Sequence, residues 1–478
     1  MQTSGFENKL SHFKLAPLCS AAVAILMLVL SLWPSQARAI PSFAAQTGQP
    51  CSACHVGAFG PQLKPYGRDF KLYGYVTTDR PNDNFEDNWY ERFSIMQQSS
   101  FTNTSANQSP PPASGLGPNN NFTLDQVSVY YGGRITPSVG MFQELSYDGV
   151  NRTFYWDAID VRHAWEGEVF GTDYVGGIMA GNQLGETSLW NSTPPNAFPY
   201  NSSRIAPTQQ AGTIFDDSLN GQILGPGAYI EWNNWLYAEA SLYVPLSHGM
   251  DRFAGDPLAD DFDGVIPFWH VALEHDFSHH EHYFQIGTFG TTASRYPAGD
   301  HTTGLKDHVS DIALEANYQW MADLHNMISA HAIYIRENQD LNATFALGGS
   351  SNPVDNLGEF KADLTYTIDD TYVPTVQYFR TTGSSDAMLY SGSTNGSPNS
   401  EGYVVDLAYV PFGKPDSPGA NWGNMRVGLE YTGYTRFNGT SSHASDNNTI
   451  FLNLWFFLDP LVPIFSRDKA SEPDSPSH

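Results

Sequence analysis

Cys51-Ser52-Ala53-Cys54-His55 is the stretch of this chain whose residue types and spacing can do chemistry. Two thiols one short turn apart can add to the two vinyl groups of a single porphyrin. A histidine directly after the second thiol then lies under the iron as proximal ligand, so C-x-x-C-H is a c-type haem attachment signal. A dithiol redox pair of thioredoxin type is the functional competitor, but that pair wants a strand-to-helix setting. Here the motif follows Thr47-Gly48-Gln49-Pro50 and runs straight into His55. One covalently attached haem c is expected on Cys51, Cys54 and His55. A multihaem wire is excluded, because the motif occurs once.

The sixth iron position has no local candidate. From residue 56 to residue 95 there is neither Met nor His. The second ligand must come from further along the chain, be water, or be absent. Met96 is the first methionine after the motif, an apolar residue on a polar stripe with Arg92, Ser94 and Gln98; Met179, in phase with Asp173 and Gln183, is the second candidate. The bland alternative is a methionine that fills space. Closer to the motif, Gly60-Pro61 and Pro65-Tyr66-Gly67 punctuate the chain, and Arg68 to Tyr73 predicts a short helix. Arg68 and Lys71 are candidate partners for haem propionates, since a guanidinium suits a carboxylate in a fork. Alternatively Arg68 pairs with Asp69 or solvent, and Phe70 and Tyr73 make a small core.

The rest of the chain sets the compartment. Lys9 and Lys14, the apolar run Ala21 to Leu32 and the small-x-small triplet Ala37-Arg38-Ala39 read as a secretory signal over residues 1–39. That run is short of the ~20 residues a helical span needs. Cleavage removes Cys19 and leaves Cys51 and Cys54 as the only cysteines, so no structural disulfide is available. The 478 residues carry a net charge of −27 with 15% charged residues, which argues against nucleic acid and its need for basic stripes.

From about residue 86 the pattern has period two. Phe360, Ala362, Leu364, Tyr366 and Ile368 share one face, and Lys361, Asp363, Thr365 and Thr367 the other. Sixteen such segments are predicted, near 88–100, 122–134, 139–149, 154–166, 171–183, 222–233, 234–245, 265–277, 281–291, 309–320, 326–337, 357–368, 371–381, 401–410, 422–436 and 447–458. An even number of strands of about 10 alternating residues is the signature of an outer-membrane barrel. Connections alternate long and short, with Asn233-Asn234 and Asp369-Asp370 among the short ones; 150–153 and 411–421 break the alternation. The fold class expected is all-β: a sixteen-stranded, porin-like outer-membrane β-barrel with a small N-terminal c-type haem segment plugging the lumen. The domains are a signal at 1–39, a monohaem cytochrome c segment at 40–85, the barrel at 86–458 and a polar tail at 459–478.

A signal, one C-x-x-C-H, then Gly60, Pro61, Leu63, Pro65, Gly67, Arg68, Phe70, Lys71, Leu72, Gly74 and Tyr75 ahead of a sixteen-stranded barrel: this resembles the fused cytochrome–porin family of outer-membrane iron-oxidising monohaem c-type cytochromes, and within it the member from acidophilic iron oxidisers. The resemblance covers the mature chain in architecture and about 25 residues in motif. It implies one-electron oxidation of extracellular Fe(II) to Fe(III), with electrons passed through the haem to a periplasmic c-type cytochrome or blue copper protein. A haem-plugged porin reducing extracellular metals, and a transport porin with a structural haem, stay open beside it.

Two clusters remain. Asp251, Asp256, Asp260, Asp261 and Asp263 crowd one external connection, as carboxylates for a hard cation or as a solvated acidic loop. His270, His275, His279, His280 and His282 gather near a predicted periplasmic turn, as metal ligands, a docking patch or a polar turn.

Overall fold

The strands carry their apolar residues on the outside. Along Asp307–Met321, Ile312 is 50% and Leu314 62% exposed, whereas Glu315 is 2% and Gln319 0% exposed. That is the reverse of a soluble protein, and it is what a strand needs when one face meets lipid and the other a polar lumen. The computed structural model describes residues 42–79, 89–185, 190–192, 201–219, 221–246, 261–278, 281–417 and 423–458. The signal segment and the polar tail lie outside them.

The strands are β1 (Phe93–Thr104), β2 (Asn121–Thr136), β3 (Val139–Asp148), β4 (Thr153–Val169), β5 (Thr172–Gly181), β6 (Ile223–Trp232), β7 (Leu236–Pro245), β8 (Asp261–Asp263), β9 (Ile266–Phe277), β10 (His282–Tyr296), β11 (Asp307–Met321), β12 (Met327–Asp340), β13 (Val354–Thr367), β14 (Tyr372–Gly383), β15 (Ser400–Tyr409), β16 (Gly423–Arg436) and β17 (Thr449–Leu458). Three-residue β8 pairs β10 just beyond the reach of β9, so the two share one stave and the barrel has sixteen. Every strand pair is antiparallel, and β1 pairs both β2 and β17, which closes the sheet and leaves no edge.

The short turns adopt the geometry their residues favour. Asn233 and Asn234 have φ of 61° and 52°, and Asp369 and Asp370 of 57° and 49°. Two successive positive φ values match the right-handed twist of the flanking strands, and Asn and Asp tolerate them. Above the short turns runs an outer aromatic band that includes Trp235, Tyr318, Trp320, Tyr366, Tyr372 and Tyr409.

Three departures from the sequence reading have a clear physical cause. The first strand begins at Phe93 rather than residue 88, because Trp89–Arg92 coils into a 3-10 turn whose Arg92 donates to Gln46. The helix predicted at Arg68 begins at Pro65, since proline at the first helical position loses nothing by lacking an N–H. The connection between β5 and β6, read as a long external loop, folds into the barrel. Ile214, Phe215 and Leu219 pack with Phe268, Phe289, Ile333 and Ile335 in the external half of the lumen.

Residues 42–79 occupy the other half. They form α1 (Ser42–Thr47), α2 (Cys51–Cys54) and α3 (Pro65–Leu72). Their partners lie all round the wall: the Ser42 amide donates to Ser94, Asn424 to the Ala58 carbonyl, Tyr75 to Asp160 and Tyr229 to the Leu72 carbonyl.

Candidate functional site

Pro50 sets up the motif, as an extended residue before the single turn α2, and the His55 amide closes that turn on the Cys51 carbonyl at 2.9 Å. The chain then doubles back. His55 bridges Leu63, and the Lys64 amide donates to the Cys54 carbonyl at 2.8 Å. Two glycines permit this. Gly57 has φ of 65° and lies against Val373, and a Cβ on Gly67 would collide with the Cys54 carbonyl. Helix α3 therefore rests directly on the motif, a close approach that only glycine allows.

Both thiols are free and half-buried. Burial pushes Cys51 up to about 11, against a hydrogen bond with Asn424. Burial and then the Cys51 thiol push Cys54 up to about 12. Burial holds His55 down to about 4, against the carbonyls of Gly60 and Gln62, which favours the neutral imidazole. Its Nδ1 is buried without a well-formed hydrogen bond. A pair of uncommitted thiols beside a neutral imidazole is the donor set a c-type haem requires. The residues present fit the group that the motif implies.

The other expected residues fall as follows. Met96 is 1% exposed, faces the lumen and packs with Ala58, Phe59, Val373 and Trp455, next to the stretch that follows His55. Its sulfur accepts a hydrogen bond from the Tyr130 hydroxyl at 3.2 Å. Met179 packs against Leu72, Tyr229 and Tyr237. The Arg68 guanidinium pairs with Asp276 at 3.0 and 3.2 Å rather than with Asp69, donates to Gln319 at 2.9 Å and lies 3.3 Å over the Tyr283 ring. Lys71 donates to the Asn191 carbonyl at 3.0 Å. Both cations thus fasten the N-terminal segment to the barrel and its inner connection.

The sequence reading passed over Lys64, Asp370 and Trp190. Lys64 lies 3.5 Å from Asp370, a fully buried carboxylate that also meets His325 at 2.6 Å. The Leu63 amide donates to the Trp190 carbonyl, and the Ser192 amide to the Pro61 carbonyl. No local signal pointed to these pairs: Asp370 reads as a turn residue and Trp190 as part of a surface loop.

The two clusters do not assemble. Asp251, Asp256 and Asp260 lie outside the described residues, and Asp263 pairs with Lys306. His279 and His280 also lie outside them. His270 faces the lumen, bonded to Glu315, whereas His275 stacks on Trp235 and His282 bonds Tyr318 on the outer face. Alternation along β9 sends residues 270 and 275 to opposite faces. Among the described residues no group of three His, Cys, Asp or Glu side chains is placed to hold a metal ion.

No protein-family model matches the chain, and no curated protein sequence matches it. Solved structures similar in shape are outer-membrane proteins. OmpF of Salmonella typhi, in complex with daunomycin, is 13% identical with a TM-score of 0.43, over 77% of this chain and 97% of that one. An anion-selective porin from Comamonas acidovorans is 8% identical with a TM-score of 0.42, over 77% and 98%. A loop-deletion mutant of OmpT from Vibrio cholerae is 11% identical with a TM-score of 0.41, over 76% and 98%. Likeness at this level carries no function. The assignment to an outer-membrane β-barrel rests on the closed antiparallel sheet and its apolar exterior.

Proposed function

We propose that this protein is an outer-membrane c-type cytochrome that takes single electrons from extracellular Fe(II) and delivers them to a periplasmic carrier, a c-type cytochrome or a blue copper protein. The observation that carries the reading is a C-x-x-C-H motif seated among lumen-facing side chains of a closed barrel. The resemblance to iron-oxidising cytochrome–porins supplies the substrate and the direction.

Haem, when bound, supplies a one-electron couple. The chain's own residues do the rest. Cys51 and Cys54 would hold the porphyrin through thioether bonds, and His55 would offer its ring to the iron. Ala58, Phe59, Met96, Val373 and Trp455 give the stretch after His55 an apolar setting. In this reading the inner connection and the N-terminal segment narrow the lumen that a sixteen-stranded barrel would otherwise leave to water. Fe(II) loses its electron on the outer side and Fe(III) stays there, where its precipitation does no harm. Only the electron crosses the apolar band of about 25 Å.

The test is stopped-flow mixing of the oxidised, haem-loaded protein with Fe(II) at acidic pH. Saturable growth of the reduced α-band is the expected result. No reduction by Fe(II), with dithionite still effective, would overturn the donor and leave the haem standing.

A further inference from the structure

Six strands bring polar side chains into one row across the lumen-facing wall. Glu274, Gln285, Asn317, His331, Asp363 and Gln377 stand opposite one another in register across β9, β10, β11, β12, β13 and β14. Each is more than nine-tenths buried. A protein interior normally pairs such groups to completion. Here pairing within the protein stops short: neither amide atom of Asn317 has a protein partner, nor do Gln285 Oε1 and His331 Nε2. Nearby, the same holds for His270 Nδ1 and Thr367 Oγ1.

The bonds that do form define His331. Its Nδ1 lies 3.0 Å from Asp363 Oδ1, and the Trp190 ring stacks on it at 3.9 Å between centroids. A carboxylate partner selects the Nδ1–H tautomer and leaves Nε2 a bare base. The row is also tied to the motif. The Trp190 carbonyl accepts from the Leu63 amide, Leu63 bridges His55, and Gln319, two residues along β11 from Asn317, donates to the Leu63 carbonyl at 2.8 Å.

The mixture of atoms decides what the row takes. Asn317 Nδ2 is a donor, Asn317 Oδ1 and Gln285 Oε1 are acceptors, and His331 Nε2 is a base. The donor opposes a bare cation and Asp363 opposes an anion. Water, donor and acceptor at once, satisfies all of them. At the Glu274 end the row reaches the periplasmic rim. Tyr283 donates to Glu274 at 2.6 Å, Arg68 covers Tyr283, and its partner Asp276 has a side chain 26% exposed.

We infer that this row holds a hydrogen-bonded chain of water that brings a proton to His331 when an electron enters the haem and removes it when the electron leaves. The inference rests on the haem reading above. Reduction adds one electron at the iron and forms one N–H bond at His331 Nε2, the proton drawn from water replenished at the periplasmic rim. Oxidation breaks that bond and returns the proton, and no other reagent is needed. Among the described residues, the charged and titratable groups around His331 are Asp363 from β13 and Glu315 from β11. Glu315 accepts from His270 at 2.7 Å and from Trp190 at 3.3 Å. Lys361, one row along β13, is paired with Asp216. The cations of the N-terminal segment, Lys64 and Arg68, are paired with Asp370 and Asp276.

The experiment is a potentiometric titration of the haem band in the purified full-length holoprotein across a series of pH values. For one proton per electron, the midpoint potential should fall by up to about 59 mV for each tenfold drop in proton concentration, over the interval where His331 binds a proton in one redox state only. His331→Gln should lose that slope. Asp363→Asn, which removes the partner that fixes the ring's tautomer, should move the interval and serves where His331→Gln does not assemble. An unchanged slope in His331→Gln, an unmoved interval in Asp363→Asn, or a pH-independent potential in the native protein would overturn the proposal alone. A chain in which the peptide containing Cys51 and Cys54 gains no haem mass would overturn the haem reading beneath it.

Discussion

Asp370 is buried at a turn of left-handed backbone and answers to Lys64 on one side and His325 on the other. Removing one member of a buried pair leaves the other charge uncompensated, at about 3–5 kcal/mol. Asp370→Asn should therefore lower the thermal midpoint of the barrel and expose Lys64 to chemical labelling. Adding Lys64→Met should recover part of the loss; no recovery in the double variant would mean that Asp370 acts through its turn alone. Asp386 is a different case, in the connection between β14 and β15. Burial would raise its pKa, but the amides of Leu389, Ser351 and Asn352 and the Ser350 hydroxyl outweigh that and hold it well below the usual carboxylate range. Its folded pKa is depressed. The stability it adds is in place above the unfolded value of about 4. That stability is lost only as pH falls through the lower folded value. The connection should resist proteolysis at acidities where an ordinary aspartate is already protonated, and Asp386→Asn should remove that resistance at about 1–3 kcal/mol.

At the scale of elements, the connection between β5 and β6 is where sequence and structure part. Its composition is that of a surface loop, yet Thr213 donates to Glu359, the Ile214 amide to Glu337 and the Phe215 amide to Asp311. Each acceptor is on the lumen-facing side of a strand, so the loop is drawn inward by polar residues that period two places inside. With Phe215 packed against Phe289 at 4.4 Å, this connection takes up space in the external half of the lumen. Reconstituted in planar bilayers, the native protein should conduct far less than an open sixteen-stranded porin. Replacing residues 201–219 by a short glycine-serine linker should raise the conductance; high conductance in the native protein would reject the plug. The strands themselves were legible, because alternation is a local property and survives any change of neighbours. The helix α3 was legible to within three residues.

At the scale of the whole molecule, the order of assembly follows from where the motif lies. The thiolate is the reactive form of cysteine. In the folded chain both thiols are held protonated, within a wall that includes Val373, Val410 and Asn424. On the haem reading proposed above, attachment is expected while the N-terminal segment is still outside a closed barrel. Haem and reductant added to the unfolded chain should give a covalent adduct on the peptide containing Cys51 and Cys54. The same reagents added to the folded, haem-free protein should not, and equal yields from both would contradict this order.

Taken alone, the sequence determined the things that depend on neighbours in the chain. C-x-x-C-H needs only five consecutive residues, and the inside and outside of each strand need only parity. It could not determine which lumen residues meet. Lys64 and Asp370 are 306 positions apart, and Asn317, His331 and Asp363 share a row only because two antiparallel registers place them there. Register is set by turn lengths, bulges and closure of the whole sheet, and one residue of slip would face every side chain the other way. The tertiary structure therefore decided which cations fasten the N-terminal segment, which loop enters the lumen, and which polar atoms are gathered into one buried row.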